Sequence, residues 1–178
     1  VLDLLQRLRA LPGVKHVRVA SGIRHDLALT DERYARAVAG EFTGGQLKLA
    51  PEHCSPHVLR LMRKPAFAVF EQFLTLFEHE SHRTGKEQYV IPYLISAFPG
   101  CTDDDMRTLS DWLRKRDWKP QQVQCFIPTP GTVATAMYYA GIDSEGNKIS
   151  VPRSDAERIR QHTILVPERH RKETKKRI

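Results

Sequence analysis

The chain has 178 residues, 40% hydrophobic and 28% charged, which is enough for one medium domain with a core of its own, or a domain plus a tail. Apolar residues recur in nearly every segment up to residue 142, which excludes global disorder, and no apolar run reaches the ~20 residues of a membrane-crossing helix. The 28 lysines and arginines exceed the 21 acids to give a net charge of +7, but the surplus gathers in Arg169 to Arg177 (RHRKETKKR), so a solvated basic tail is expected rather than a basic nucleic-acid-binding body.

In chain order, Val1, Leu4, Leu5, Leu8 and Leu11 fall on one helical stripe that Pro12-Gly13 ends. Val14 to Ala20 places Val17 and Val19 at strand spacing. Thr30 is positioned to cap a helix carrying Tyr34, Ala37 and Val38, closed by Gly40. After Gly44-Gly45, Gln46 to Ala50 reads as a strand, and Ser55 as an N-cap with Pro56 at the first helical position. Pro65 opens a longer helix with Phe67, Phe70, Phe73, Leu74 and Phe77 on one face. Tyr89 to Ile95 is the most strand-like run. Thr102 caps a helix with Asp103, Asp104 and Asp105 near its positive end, and Met106, Leu109, Trp112 and Leu113 as its inner stripe. Val123 to Ile127 is the last strand, stopped by Pro128 to Thr132, and Ser154 to Leu165 a polar helix. Helices alternating with short strands predict an α/β fold with a parallel sheet and right-handed crossovers. Composition divides the chain at residue 142, with 1–142 as the α/β body and 143–178 as a basic C-terminal extension.

Side chains alternate faces along a strand. Arg18 between Val17 and Val19, and Lys48 between Leu47 and Leu49, therefore oppose the apolar residues, with Gln46 and Glu52 sharing the parity of Lys48 and Gln124 repeating the pattern. A hydrophilic hollow accounts for cations at these positions; edge strands with one wet face are the other reading. The loops after the strands, Ser21 to Asp26, Pro51 to Ser55, Ser96 to Cys101 and Pro128 to Thr132, carry the unusual residues, where parallel α/β folds place their sites. The cysteines Cys54, Cys101 and Cys125 are odd in number and widely spaced, which argues against a secreted disulfide framework and for a reducing, cytoplasmic setting. His25, His53 and Cys54 lack a fourth ligand at diagnostic spacing, so no metal site is assigned. The chain opens without Met, directly on an amphipathic pattern, so a piece of a longer protein without a secretory leader is expected.

Leu47 to Ser55 running into Val58-Leu59-Arg60-Leu61-Met62-Arg63-Lys64 resembles the fourth strand and following helix of radical S-adenosylmethionine (SAM) enzymes. Pro99-Gly100-Cys101-Thr102 resembles the loop after their fifth strand, with Cys101 where a Glu is usual, and Thr129-Pro130-Gly131-Thr132 the turn after their sixth. Together with Ser21-Gly22-Ile23-Arg24, Gly85-Lys86-Glu87-Gln88-Tyr89 and Ala136-Met137-Tyr138-Tyr139, these strings are similar to the YgiQ-type radical SAM family over essentially the whole chain.

The resemblance implies strands three to six of a partial (β/α)6 barrel. Such enzymes bind a [4Fe-4S] cluster through a C-x-x-x-C-x-x-C loop, chelate SAM on it, and cleave SAM reductively to a 5′-deoxyadenosyl radical that attacks a substrate, here unknown. The three-cysteine loop is absent from this chain. The segment is therefore expected to supply the distal wall of the SAM pocket, inactive alone, with the earlier strands contributed by the missing N-terminal half of the barrel. The resemblance assigns cofactor contacts to Glu52, Arg24, Gly100 and Gly131, and no catalytic or metal-binding residue. For Glu52 a helix-terminus carboxylate just before Ser55, favoured by the local dipole, is the equal competing expectation, for Arg24 a salt bridge to Asp26, and for the glycines a plain turn role. A basic module for RNA or another polyanion, using Arg18, Lys48 and the tail from Lys172 to Arg177, is the alternative function, with a non-catalytic scaffold as a third; no RNA-recognition motif supports the former.

Overall fold

The computed structural model describes residues 1–120 and 122–166; the basic tail, Arg169 to Arg177, lies outside the described residues. The elements run α1 (Leu2–Arg9), α2 (His25–Leu29), α3 (Glu32–Gly40), β1 (Gln46–Glu52), α4 (Pro56–Leu61), α5 (Phe67–Arg83), β2 (Tyr89–Ser96), α6 (Asp103–Lys115), β3 (Gln122–Cys125), α7 (Val133–Ala140) and α8 (Asp155–Leu165). Among the described residues the strands form one parallel sheet in the order β1-β2-β3, with Leu94 opposite Val123 and Ser96 opposite Cys125. The expected α/β class with a parallel sheet is thus present. No helix among the described residues is long and apolar enough to cross a membrane.

The chain folds as two compact units, Val1–Ala50 with Ala68–Pro92, and Pro51–Phe67 with Tyr93 onward. In the first, α5 buries Phe70, Phe73, Leu74 and Phe77 at helical spacing, alongside Leu47 and Leu49 of β1. Each such side chain contributes about 1.5–3 kcal/mol through burial. Glu80 on α5 is only 1% exposed and takes hydrogen bonds from Arg36 Nη1 (2.5 Å) and Arg83 Nε (2.7 Å). Burial pushes its carboxyl up, but the two guanidinium groups outweigh that and hold it below the usual range. The C-terminal carbonyls of α3 are closed by Gln88 Nε2 on Ala39 O (2.6 Å) and Lys86 Nζ on Gly40 O (2.5 Å).

Three expectations for this unit need correction. Val14 to Ala20 is not a strand: its backbone meets the turn after α3 through Val19 N to Phe42 O (2.8 Å), and the parallel pairing occurs later, at Ile23 with Leu49. Strand spacing at Val17 and Val19 marked partial burial but could not supply a pairing partner. Arg18 accordingly does not join Lys48 on a sheet face. It lies across Gly44, where a Cβ would come within 2.9 Å of its Cδ, and donates to Glu41 O at 2.9 Å. The cap of α3 is Asp31, not Thr30; its carboxylate accepts from Arg33 N and Tyr34 N. Helix α1 forms over Leu2–Arg9, but Val1, Leu4, Leu8 and Leu11 of its expected apolar stripe are exposed.

The second unit is built on Val58, Leu94, Phe98, Cys101, Met106, Leu109, Leu113, Met137 and Leu165. Phe67 meets Trp112 edge-on, and Trp112 meets Trp118 in the same way. Thr102 and Asp105 form a reciprocal capping box on α6. Helix α7 was not foreseen; Thr132 caps it by accepting from Thr135 N. Helix α8 packs on α6, so the C-terminal extension as far as residue 166 belongs to this unit.

Candidate functional site

The C-terminal ends of β1, β2 and β3 all lie in the second unit. At the end of β1, His53 N donates to Pro51 O at 2.8 Å, closing a three-residue turn with Glu52 at its centre and φ +66°. Turns of this kind hold a non-glycine residue in a sparsely populated backbone region, at a cost of order 1–3 kcal/mol. The turn leaves Glu52 partly accessible, with a side-chain exposure of 17%, and Lys64 Nζ donates to its Oε1 at 3.2 Å.

Behind the turn lies a buried polar lock that the sequence did not reveal. Ser55 N donates to His53 Nδ1 (2.9 Å), which leaves the proton on Nε2, 3.7 Å from Cys101 Sγ. Both His53 and Cys101 are fully buried. Burial lowers the His53 pKa to about 4 against the pull of Asp105, and burial pushes the Cys101 thiol far up, aided by Asp105. The pair is therefore a neutral imidazole beside a neutral thiol, a link between two loops and not an activated nucleophile. Ser55 does not cap α4 with its side chain; its Oγ donates instead to Asp105 Oδ1 at 2.5 Å. Burial raises Asp105, but the bonds from Ser55 and Thr102 prevail and keep it ionised below the usual range. Among the described residues, no group of three His, Cys, Asp or Glu side chains is placed to hold a metal ion.

After β2, Phe98-Pro99-Gly100-Cys101 forms a turn closed by Cys101 N on Phe98 O (2.9 Å), with Pro second and Gly100 third at φ +88°, the residue order of a type II turn. Gly100 N donates to Ser150 O (2.7 Å), and Gly100 O is 3.2 Å from His57 Nε2. A Cβ on Gly100 would sit 2.2 Å from Leu61 Cδ1. After β3, Pro130-Gly131 repeats the pair with Gly131 at φ +80°, yet a Cβ there would meet nothing within 4 Å. The Thr132 and Thr135 hydroxyls both donate to Thr129 O, at 3.0 and 2.7 Å. Gln124 of β3 is exposed between half-buried neighbours, as Lys48 is exposed between Leu47 and Leu49 in β1.

Arg24 belongs to the first unit, as the N-cap residue of α2. Its guanidinium forks onto Asp26, Nε to Oδ1 at 2.8 Å and Nη2 to Oδ2, which is the competing expectation stated for it. That hydrogen-bonded pair holds the Asp26 carboxyl down at about 2. Arg24 also borders a shallow cavity with Ile23, Leu27 and Tyr34. Of the four residues assigned by resemblance, three thus lie in one unit and Arg24 in the other.

The chain is 46% identical to a UPF0313 protein of Geobacter sulfurreducens, 44% to one of Methanosarcina acetivorans and 42% to one of Clostridium perfringens, over 92–93% of its length in each case. Residues 121–176 match a domain of unknown function, DUF3362. The chain belongs to the UPF0313 family. UPF0313 is the YgiQ family, so the kinship read from the Pro-Gly strings holds. The chain spans about a quarter of the length of these UPF0313 relatives (27%, 22% and 25%).

Set against SAM, the segment fits in part. The accessible Glu52 carboxylate can accept hydrogen bonds from an ammonium or ribose, and Gly131 presents bare backbone to open space. The amide and carbonyl of Gly100 already have partners, and Arg24 is engaged by Asp26. An iron–sulfur cluster finds no ligand set among the described residues.

Proposed function

We propose that this segment forms the distal wall of a SAM pocket in a radical SAM enzyme of the UPF0313 family, completed by cluster-bearing strands elsewhere in the full-length protein. The observation that carries the reading is Glu52, a carboxylate held at φ +66° at the end of β1, with Pro-Gly turns following the next two strands of the same sheet. Non-glycine residues held in that backbone region cluster at ligand-binding sites. When bound, SAM on its cluster supplies the hydrogen-abstracting radical. This chain's residues bind and orient: Glu52 accepts from the ribose or amino group, Lys64 fixes the carboxylate's rotamer, and Gly131 lets the cofactor approach the backbone.

The test is anaerobic reconstitution of the full-length protein with iron and sulfide, reduction of the cluster with dithionite as the one-electron donor, and assay for 5′-deoxyadenosine after adding SAM. Formation of that product, with SAM affinity reduced about tenfold or more in Glu52→Ala, is expected; one lost charge-assisted hydrogen bond gives an effect of this size. A full-length protein that assembles its cluster yet neither binds nor cleaves SAM would overturn the reading.

A further inference from the structure

Helix α8 presents Arg158, Gln161 and Leu165 at i, i+3 and i+7, one stripe of a helix. Leu165 enters the core, and the two polar members reach the loops after β2 and β3. Gln161 is only 3% exposed, so its amide needs partners on both sides. Its Oε1 accepts from Ala97 N (3.0 Å), and its Nε2 donates to Cys101 O (2.9 Å). These backbone groups bracket the Pro99-Gly100 turn, and a donor on one side with an acceptor on the other fixes the amide's orientation. Ala97, like Glu52, holds a left-handed backbone (φ +59°) without being glycine. A conformation of that kind persists where surrounding contacts over-determine it, and the Gln161 bond falls on its own N–H. Arg158 Nη2 donates to Phe126 O (2.9 Å) and Nε approaches Cys125 Sγ (3.4 Å), at the end of β3. Ser150 O takes the Gly100 amide, and Arg160 Nε bonds Asp103 Oδ2 at the start of α6 (2.6 Å).

We infer that α8 is a working part of the rim, and that Gln161 is a positioning residue: it fixes the buried loop Ala97–Cys101, which supports the Glu52 turn through Cys101 Sγ, 3.7 Å from His53 Nε2. The role falls to the part of the chain that matches DUF3362. The loop-holding half of the inference stands on the geometry alone; the ligand half rests on the SAM reading above.

Two variants of the full-length protein, Gln161→Leu and Gln161→Glu, separate the halves. Leucine keeps the volume and removes both bonds, whereas glutamate keeps an acceptor for Ala97 N and loses the donor to Cys101 O. Hydrogen exchange of the amides from Ala97 to Cys101 is expected to quicken about tenfold or more in Gln161→Leu and less in Gln161→Glu, with Met106 to Leu113 unchanged. In the reconstituted protein, the SAM dissociation constant should rise about tenfold in Gln161→Leu, with partial recovery in Gln161→Glu. Unchanged loop exchange in Gln161→Leu, or equal quickening throughout α6, overturns the positioning role. Quickened loop exchange with unaltered SAM affinity, in a protein that cleaves SAM, overturns its link to the ligand. If the wild-type protein binds no SAM, the cofactor reading fails by itself, and loop exchange still decides the role of Gln161.

Discussion

The turns after β2 and β3 share a Pro-Gly pair, and each is followed at once by the Thr cap of a helix, but their surroundings differ. Gly100 is buried, wedged against Leu61, with both backbone polar groups engaged; Gly131 is exposed and has nothing within 4 Å of its missing Cβ. One sequence signal therefore serves two ends. In the first turn the absent side chain makes room for a neighbouring helix, and in the second it leaves the backbone open to whatever comes from outside. The string alone cannot separate these uses, because the deciding atoms, Leu61 Cδ1 and Ser150 O, lie 39 and 50 residues away in sequence.

Substitution is the most direct way to break the comparison. Gly100→Ala combines a left-handed backbone with a 2.2 Å clash, and should cost about 3 kcal/mol or more in denaturant unfolding of the full-length protein. An alanine tolerated there would show that the first turn is as open as the second. Next in size is acid sensitivity of the held turn. His53 is neutral in the folded protein with a pKa of about 4, below its ordinary 6.5, so the stability it confers is complete above pH 6.5. That stability drains away as the pH falls from 6.5 towards 4, by on the order of 2–3 kcal/mol. A protonated ring could no longer accept from Ser55 N. His53→Gln should flatten the unfolding midpoint across that window, and an unaltered slope would remove His53 as the cause. The smallest stability effect belongs to Gly131→Ala, about 1 kcal/mol from its backbone angle alone. If the open turn meets the cofactor, the same variant should lose SAM affinity out of proportion to that cost, which calorimetric titration of the reconstituted protein reads directly.

Much of this was legible from residues. The parity of Gln46, Lys48 and Glu52 against Leu47 and Leu49, the α5 phenylalanine stripe and the Thr102 cap with its three aspartates all rest on local periodicity, and all are present. The Val14–Ala20 strand was misread because alternation reports half-burial, while a strand also needs a partner in register. His53 drew attention as a metal candidate, but its tautomer is set by the amide of Ser55 and its buried neighbour Cys101 lies on a loop 48 residues on. Gln161 left a faint trace: a polar residue on the inward stripe of α8, in line with Leu165, that the modest amphipathicity of the helix hid. Helix α7 went unread because its mixed Val-Ala-Thr-Ala-Met-Tyr-Tyr-Ala run has no polar face to set its period.

The bond from Ala97 to Gln161 spans 64 residues of chain. At roughly 5–20 residues per second on the ribosome, the strand end waits about 3–13 seconds before its partner is even synthesised. During that interval the Pro-Gly turn must rely on its own hydrogen bond while the amide of Ala97 stays with water. The rim is thus assembled backwards, its strand ends set in final form by a helix that emerges later, and a ribosome stalled before residue 161 would carry a nascent chain in which the amide of Ala97 still lacks that partner.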